Sequence, residues 1–144
     1  SIQGQKLHVW SRGGGHQIYQ CKTGEQLLTE IIPYDGILDS VFSHNDNHLL
    51  CYQSGDVLWY NSEGIQKTVT LRGPVQHALW DSERSAWHIA GWREEAYLSQ
   101  REHHSTLFRE IPVQIVLHNS LTLLLLNDGS FLESAYPFPS TADE

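Results

Sequence analysis

Short apolar runs cut by turn residues set the pattern of the chain. No stretch keeps apolar residues at i, i+3, i+4 and i+7 through three turns, so no amphipathic helix is expected. Turn signals are frequent: Gly13-Gly14-Gly15, Thr23-Gly24, Asp35-Gly36, Asn45-Asp46-Asn47, Ser54-Gly55-Asp56, Ser62-Glu63-Gly64, Gly73-Pro74 and Asn127-Asp128-Gly129. They recur every ~8 to 12 residues, the spacing of an all-β sandwich, barrel or propeller. The runs 49–52 and 121–126 read as buried strands. The run 66–71 alternates apolar and polar positions, as a half-solvated outer strand does.

An internal repeat narrows the choice. Apolar runs begin at Ile37, Val75 and Val113, each 38 residues after the last. Three others end at Ile31, Leu71 and Ile111, each 40 residues apart. Two more strands fit between these landmarks, at 48–53 and 56–61, and again at 86–91 and 95–100. Each unit is then four short antiparallel strands in about 40 residues, the pattern of a β-propeller blade. One small twisted sheet cannot bury both faces alone, so such units stack. The expected divisions are a partial blade at 1–33, full blades at 34–72 and 73–111, a partial blade at 112–136 and a tail at 137–144. The β-trefoil, with three repeats of similar length, is the alternative. A ricin-type trefoil would carry Gln-x-Trp in each repeat, and none occurs here.

The segment 17–28, with its Thr23-Gly24 turn, resembles a third and fourth strand of the WD40-like propeller superfamily, and 56–64 is a looser copy. The family's Trp-Asp dipeptide is absent from the third-strand ends, which read Tyr19-Gln20, Tyr60-Asn61 and Ser99-Gln100. Trp80-Asp81 falls at the end of a first strand instead. The resemblance therefore implies a degenerate WD40-like propeller without the family's His-to-Asp network.

At 144 residues the chain holds fewer than four such units. Its first unit opens at Lys6 on what reads as a second strand. An open stack exposes an apolar blade face at each end. The expectation is part of a larger propeller, completed by more chain or by another subunit.

Composition adds exclusions. The chain is 40% hydrophobic and 18% charged, with a formal charge of −8 and no basic stripe, which argues against nucleic acid as a partner. No apolar run approaches 18 residues and no leader pattern is visible at 1–6, so no membrane association is expected. Cys21 and Cys51 both fall in strand-like runs and read as buried thiols, which suits an intracellular, cytoplasmic protein. His44 and His48 flank a turn, and His103-His104 lies in a polar loop. Neither pair has a companion Cys pair, so neither a metal nor another cofactor is expected.

No catalytic motif is present. Gly13-Gly14-Gly15 precedes a strand rather than the helix a phosphate cradle needs. The reading is a non-catalytic protein-interaction scaffold. Trp10, Trp59, Trp80 and Trp87 fall in strands, where packing between blades accounts for them. Trp92 lies in a turn beside Arg93, a pairing common in interface anchors. With Arg101, His103 and His104 on a neighbouring loop, these are the candidate partner-binding residues. Two alternatives stay open: a ligand-binding or enzymatic propeller with Asp35, Asp39 and His77 at a central channel, and a carbohydrate-binding trefoil.

Overall fold

A computed structural model describes residues 5–118 and 121–134. The tail expected at 137–144 lies outside the described residues. Fourteen strands form four antiparallel sheets, and the described residues hold no helix. The first sheet is β1 (Lys6–Trp10), β2 (Gly15–Gln20) and β3 (Gln26–Ile31). The second is β4 (Leu38–His44), β5 (Asn47–Tyr52), β6 (Asp56–Asn61) and β7 (Gly64–Thr70). The third is β8 (His77–Asp81), β9 (Ala86–Ala90), β10 (Glu94–Ser99) and β11 (His103–Leu107). The fourth is β12 (Pro112–His118), β13 (Leu121–Leu126) and β14 (Phe131–Glu133). Within every sheet the strands pair in chain order.

The period-2 alternation of the strands builds the interior between sheets. On the second sheet Leu50, Tyr52, Leu58 and Tyr60 face the first, where they meet Trp10 and Ile32. Leu49, Cys51, Val57, Trp59 and Val69 face the third, against Ala78, Trp87, Ile89, Ala96 and Leu98. The third sheet turns Ala90 to the fourth, which answers with Ile115, Leu124 and Leu126. The two middle sheets are thus buried on both faces, and β5, β6, β9 and β10 are buried almost throughout. Four sheets stacked side by side leave no room for the threefold closure of a trefoil.

The end sheets differ. The outward face of the first carries Leu7, Val9 and Ile31, exposed by 54%, 41% and 77%. The outward face of the fourth carries Val116, Leu121 and Phe131, all exposed, with Leu123 and Leu125 half-buried beside them. These faces have the alternation of an interior surface and nothing over them among the described residues.

One turn recurs. Between β1 and β2, Gly14 has φ 97° and its carbonyl accepts from Ile32 N at 2.8 Å. Between β5 and β6, Gly55 has φ 95° and accepts from Leu71 N at 2.9 Å. Each bond ties a hairpin tip to the residue that leaves the sheet's outer strand. A Cβ on Gly55 would stand 2.6 Å from the Leu71 carbonyl oxygen, which is backbone and cannot swing away. Gly55→Ala is expected to destabilise the fold by about 2 kcal/mol, from the left-handed backbone plus the clash. Chemical denaturation of the variant measures this.

Two expectations need correction. Cys21 is exposed, because β2 ends at Gln20 and Cys21 opens the turn to β3. Cys51 is buried as expected, and burial pushes its thiol up to about 12. His103 and His104 lie within edge strand β11 rather than in a loop.

Candidate functional site

The densest polar chemistry lies in the seam between the first two sheets. Alternation along β1 sends His8 and Trp10 to the same face, and β2 adds His16 and Ile18. Register places Trp10 beside His16 and His16 beside Glu30 of β3. The Trp10 and His16 rings stack at 3.7 Å between centroids and 4° between planes. From across the seam come His48 of β5 and Tyr60 of β6, which are register partners. Asp46 and Ser62 reach in from two turns at the same end of the second sheet, joined by a 2.6 Å bond from Ser62 Oγ to Asp46 Oδ2.

A relay of hydrogen bonds runs through this seam. Glu30 Oε2 accepts from the Tyr60 hydroxyl and contacts His16 Nδ1 at 2.8 Å. His16 Nε2 lies 2.9 Å from His8 Nδ1. Burial opposes the charge of Glu30, but the bonds from Tyr60 and His16 outweigh it and hold its carboxyl below the usual value. Burial, then the Glu30 carboxylate, pushes the Tyr60 hydroxyl up. Burial, then His8 and His16, lowers His48 to about 4. Burial, then His16, also lowers His8. His8, His16, Ile18, Leu28, Glu30, Asp46, His48, Tyr60, Asn61 and Ser62 line a cavity of about 130 Å³. Among the described residues no group of three His, Cys, Asp or Glu is arranged to hold a metal ion.

The sequence-expected residues fall elsewhere. Trp92 and Arg93 form the tip between β9 and β10. Trp92 is 43% exposed, and the Arg93 guanidinium carbon lies 6.0 Å from its ring centroid. The Trp92 side chain lies over Gly73, whose absent Cβ would come within 2.8 Å of it. Buried Glu94 accepts from Arg72 N at 3.0 Å and fixes this crossing. Arg72, Trp92, Arg93 and Phe108 together border a groove of about 340 Å³. Arg101 sits in the turn at the far end of β10, and His103 and His104 open β11 at that same end, paired with Leu98 and Tyr97. The structure therefore brings Trp92 and Arg93 together and sets Arg101 at the opposite end of the sheet.

Arg93 occupies the recurring tip position filled by Gly14 and Gly55. Its φ is 57°, and its carbonyl accepts from Phe108 N at 2.8 Å. Left-handed backbone at a residue with a Cβ costs roughly 1 kcal/mol. Arg93→Gly is therefore expected to raise the stability of the fold by about 1 kcal/mol, read from the denaturation midpoint.

Of the central-channel candidates, Asp35 and Asp39 are exposed. His77 is half-buried, and its Nδ1 accepts from Ile115 N at 3.0 Å, which makes it a tie between inner strands β8 and β12. A buried His88–Asp81 pair at 3.0 Å also holds Arg84, with 2.9 Å from its Nη1 to Asp81 Oδ2. Among the described residues His88 Nδ1 has no hydrogen-bond partner, and no nucleophile of theirs completes a triad there.

The seam cluster escaped the sequence reading, which tested histidines as close pairs. Its signal was the position of His8, His16 and His48 on strand faces that alternation turns inward.

No family model matches the sequence, and no curated protein matches it either. Solved structures do. Sqt1 of Saccharomyces cerevisiae superposes with a TM-score of 0.69 at 13% identity, over 92% of this chain and 41% of that one. The computationally designed Ika4 protein gives 0.66 at 8% identity, over 90% of this chain and 84% of that one. BBS1N, solved in complex with ARL6DN, gives 0.64 at 11% identity, over 88% of this chain and 45% of that one. The fold is a partial β-propeller. Its four sheets are blades 1 to 4. The chain spans less than half the length of the Sqt1 and BBS1N chains.

Proposed function

We propose that this partial propeller is a non-catalytic protein-interaction scaffold of WD40-like type, a part of a larger propeller completed by more chain or by a partner subunit. The observation that carries the reading is the pair of uncovered end faces, with Leu7, Val9 and Ile31 on blade 1 and Val116, Leu121 and Phe131 on blade 4. Contiguous exposed apolar surface of this kind marks an interaction site. A propeller-type neighbour solved with a protein partner supports the scaffold reading. The two unpaired cysteines support an intracellular setting.

Within that reading, Trp92 and Arg93 are the protein contact, with Arg72 and Phe108 beside them, and Arg101, His103 and His104 form a second contact at the other end of blade 3. The left-handed Arg93 supports this, because its strain is retained where two other blades use glycine.

The experiment is dye binding by the isolated chain. It is expected to bind 1-anilinonaphthalene-8-sulfonate, and Val116→Glu with Phe131→Glu to remove the blade 4 share of that signal while the blade 1 face keeps the rest and strand content stays unchanged. A wild-type chain that leaves the dye dark overturns the reading.

A further inference from the structure

The seam cavity presents acceptors and very few donors. The Glu30 carboxylate can only accept, so His16 Nδ1 donates to it. His8 Nδ1–H then donates to His16 Nε2, and His8 Nε2 is left as a lone pair. His48 is 2% exposed. Its Nδ1 is engaged by Ser43 Oγ at 2.7 Å on its own sheet. Its Nε2 is buried with no hydrogen-bond partner among the described residues, and the ring borders the cavity. Such a group at the wall of a cavity is costly unless something meets it.

We infer that this cavity receives the ammonium of a lysine side chain from a protein partner. Asp46 and Glu30 supply the negative charge. Ile18 and Leu28 supply an apolar wall for the methylene stem. The space of about 130 Å³ matches about four water volumes, enough for an ammonium and three methylenes. A guanidinium fits less well, since it wants a carboxylate edge with two open oxygens. Glu30 Oε2 already serves His16 and Tyr60, and Asp46 Oδ2 already serves Ser62 through both its N–H and its hydroxyl. An anion would meet both carboxylates. The formal charge of −8 steers a basic partner toward the chain.

This rests on the scaffold reading for the source of the lysine, whereas the cavity's preference is testable without any partner. The probe is n-butylammonium, with 1-butanol as its neutral counterpart, at pH 8. Imidazole nitrogen resonances of His8 and His48 report binding. Saturable shifts are expected with n-butylammonium in the millimolar range, at least tenfold weaker with 1-butanol. Asp46→Asn, in an exposed turn, is expected to weaken binding about tenfold. Lowering the pH from 8 to 4.5 is expected to weaken it further, because protons taken up by His8, and by His48 as its value of about 4 is approached, compete with the cation. Among the charged groups around them, His16 and Asp46 act on both rings, Glu30 lines the same cavity, and Lys6 adds to the field at His8. Equal response to 1-butanol, or no saturable shift at these two rings, overturns the inference. Neither result touches the scaffold reading, which stands or falls on the end faces.

Discussion

Trp87→Ala is expected to lower stability by roughly 3–5 kcal/mol. That approaches the whole margin of a small domain, about 5–15 kcal/mol. Trp87 is 1% exposed at the centre of the interior between blades 2 and 3. It closes a ladder of three indoles, with Trp59 to Trp80 at 5.5 Å and Trp80 to Trp87 at 5.3 Å between centroids, all edge-on. Truncation opens a cavity that rigid strands on both sides cannot collapse to fill. Trp80 and Trp59 then lose their support, and the seam between the two middle blades loosens as a unit. Among the described residues the indole N–H of Trp87 has no hydrogen-bond partner, and its ring is held by packing. Trp87→Phe keeps most of that packing and sheds the unpaired donor. It is expected to cost about 1–2 kcal/mol. Urea denaturation of both variants separates them, and equal losses would show that the ladder is not held by packing.

The second large effect is acid destabilisation that begins well above the carboxylate range. His48 holds a pKa of about 4 in the fold, against an ordinary 6.5. Between these values the unfolded chain takes up a proton that the folded chain refuses. Stability therefore falls as pH drops from about 6.5 to about 4, by roughly 2–3 kcal/mol from this side chain. His8 and His88 are also lowered, chiefly by burial, and act in the same direction. Glu30, Asp46 and Asp81 are lowered too, against the pull of burial, by their hydrogen bonds. As carboxylates they add stability that is present above their ordinary values and lost below pH 4. Histidines therefore act first and carboxylates second. Urea midpoints at pH 7.5, 6 and 5 are expected to decline steadily, and His48→Gln to flatten much of the decline. Midpoints that hold level to pH 5 would mean that His48 is solvated in the fold.

Much of the fold was legible because it is local. Strands of five to seven residues with period-2 alternation, punctuated by Gly14, Gly55 and Gly129 at left-handed tips, show directly in the residue order. Among the described residues blade 1 has three strands, and β1 and β2 carry the tip that elsewhere joins a second strand to a third. Cys21 was misread because the run 16–21 gives no sign of where pairing stops. The bulge at Ile18 and Tyr19 and the turn at Thr23-Gly24 end β2 one residue earlier. His103 and His104 were misplaced because edge strand β11 opens on four polar residues in succession, which hides its alternation of exposure. The separation of Arg101 from Trp92 follows from topology, since successive hairpin turns fall at opposite ends of the strand they share. The seam cluster depends on which faces of two blades meet. That is decided by long-range stacking: alternation sets His8 with Trp10 and His16 with Ile18 on one face, but what covers that face is not a local property.

The central claim, that two interior-type faces stand uncovered on a stack otherwise buried, is tested most directly by hydrogen–deuterium exchange of the isolated chain at low micromolar concentration. The slowest amides are expected in β5, β6, β9 and β10, where both faces are covered. Those of β1 to β3 and β12 to β14 are expected to exchange much faster. Equal protection of all four blades would contradict the account.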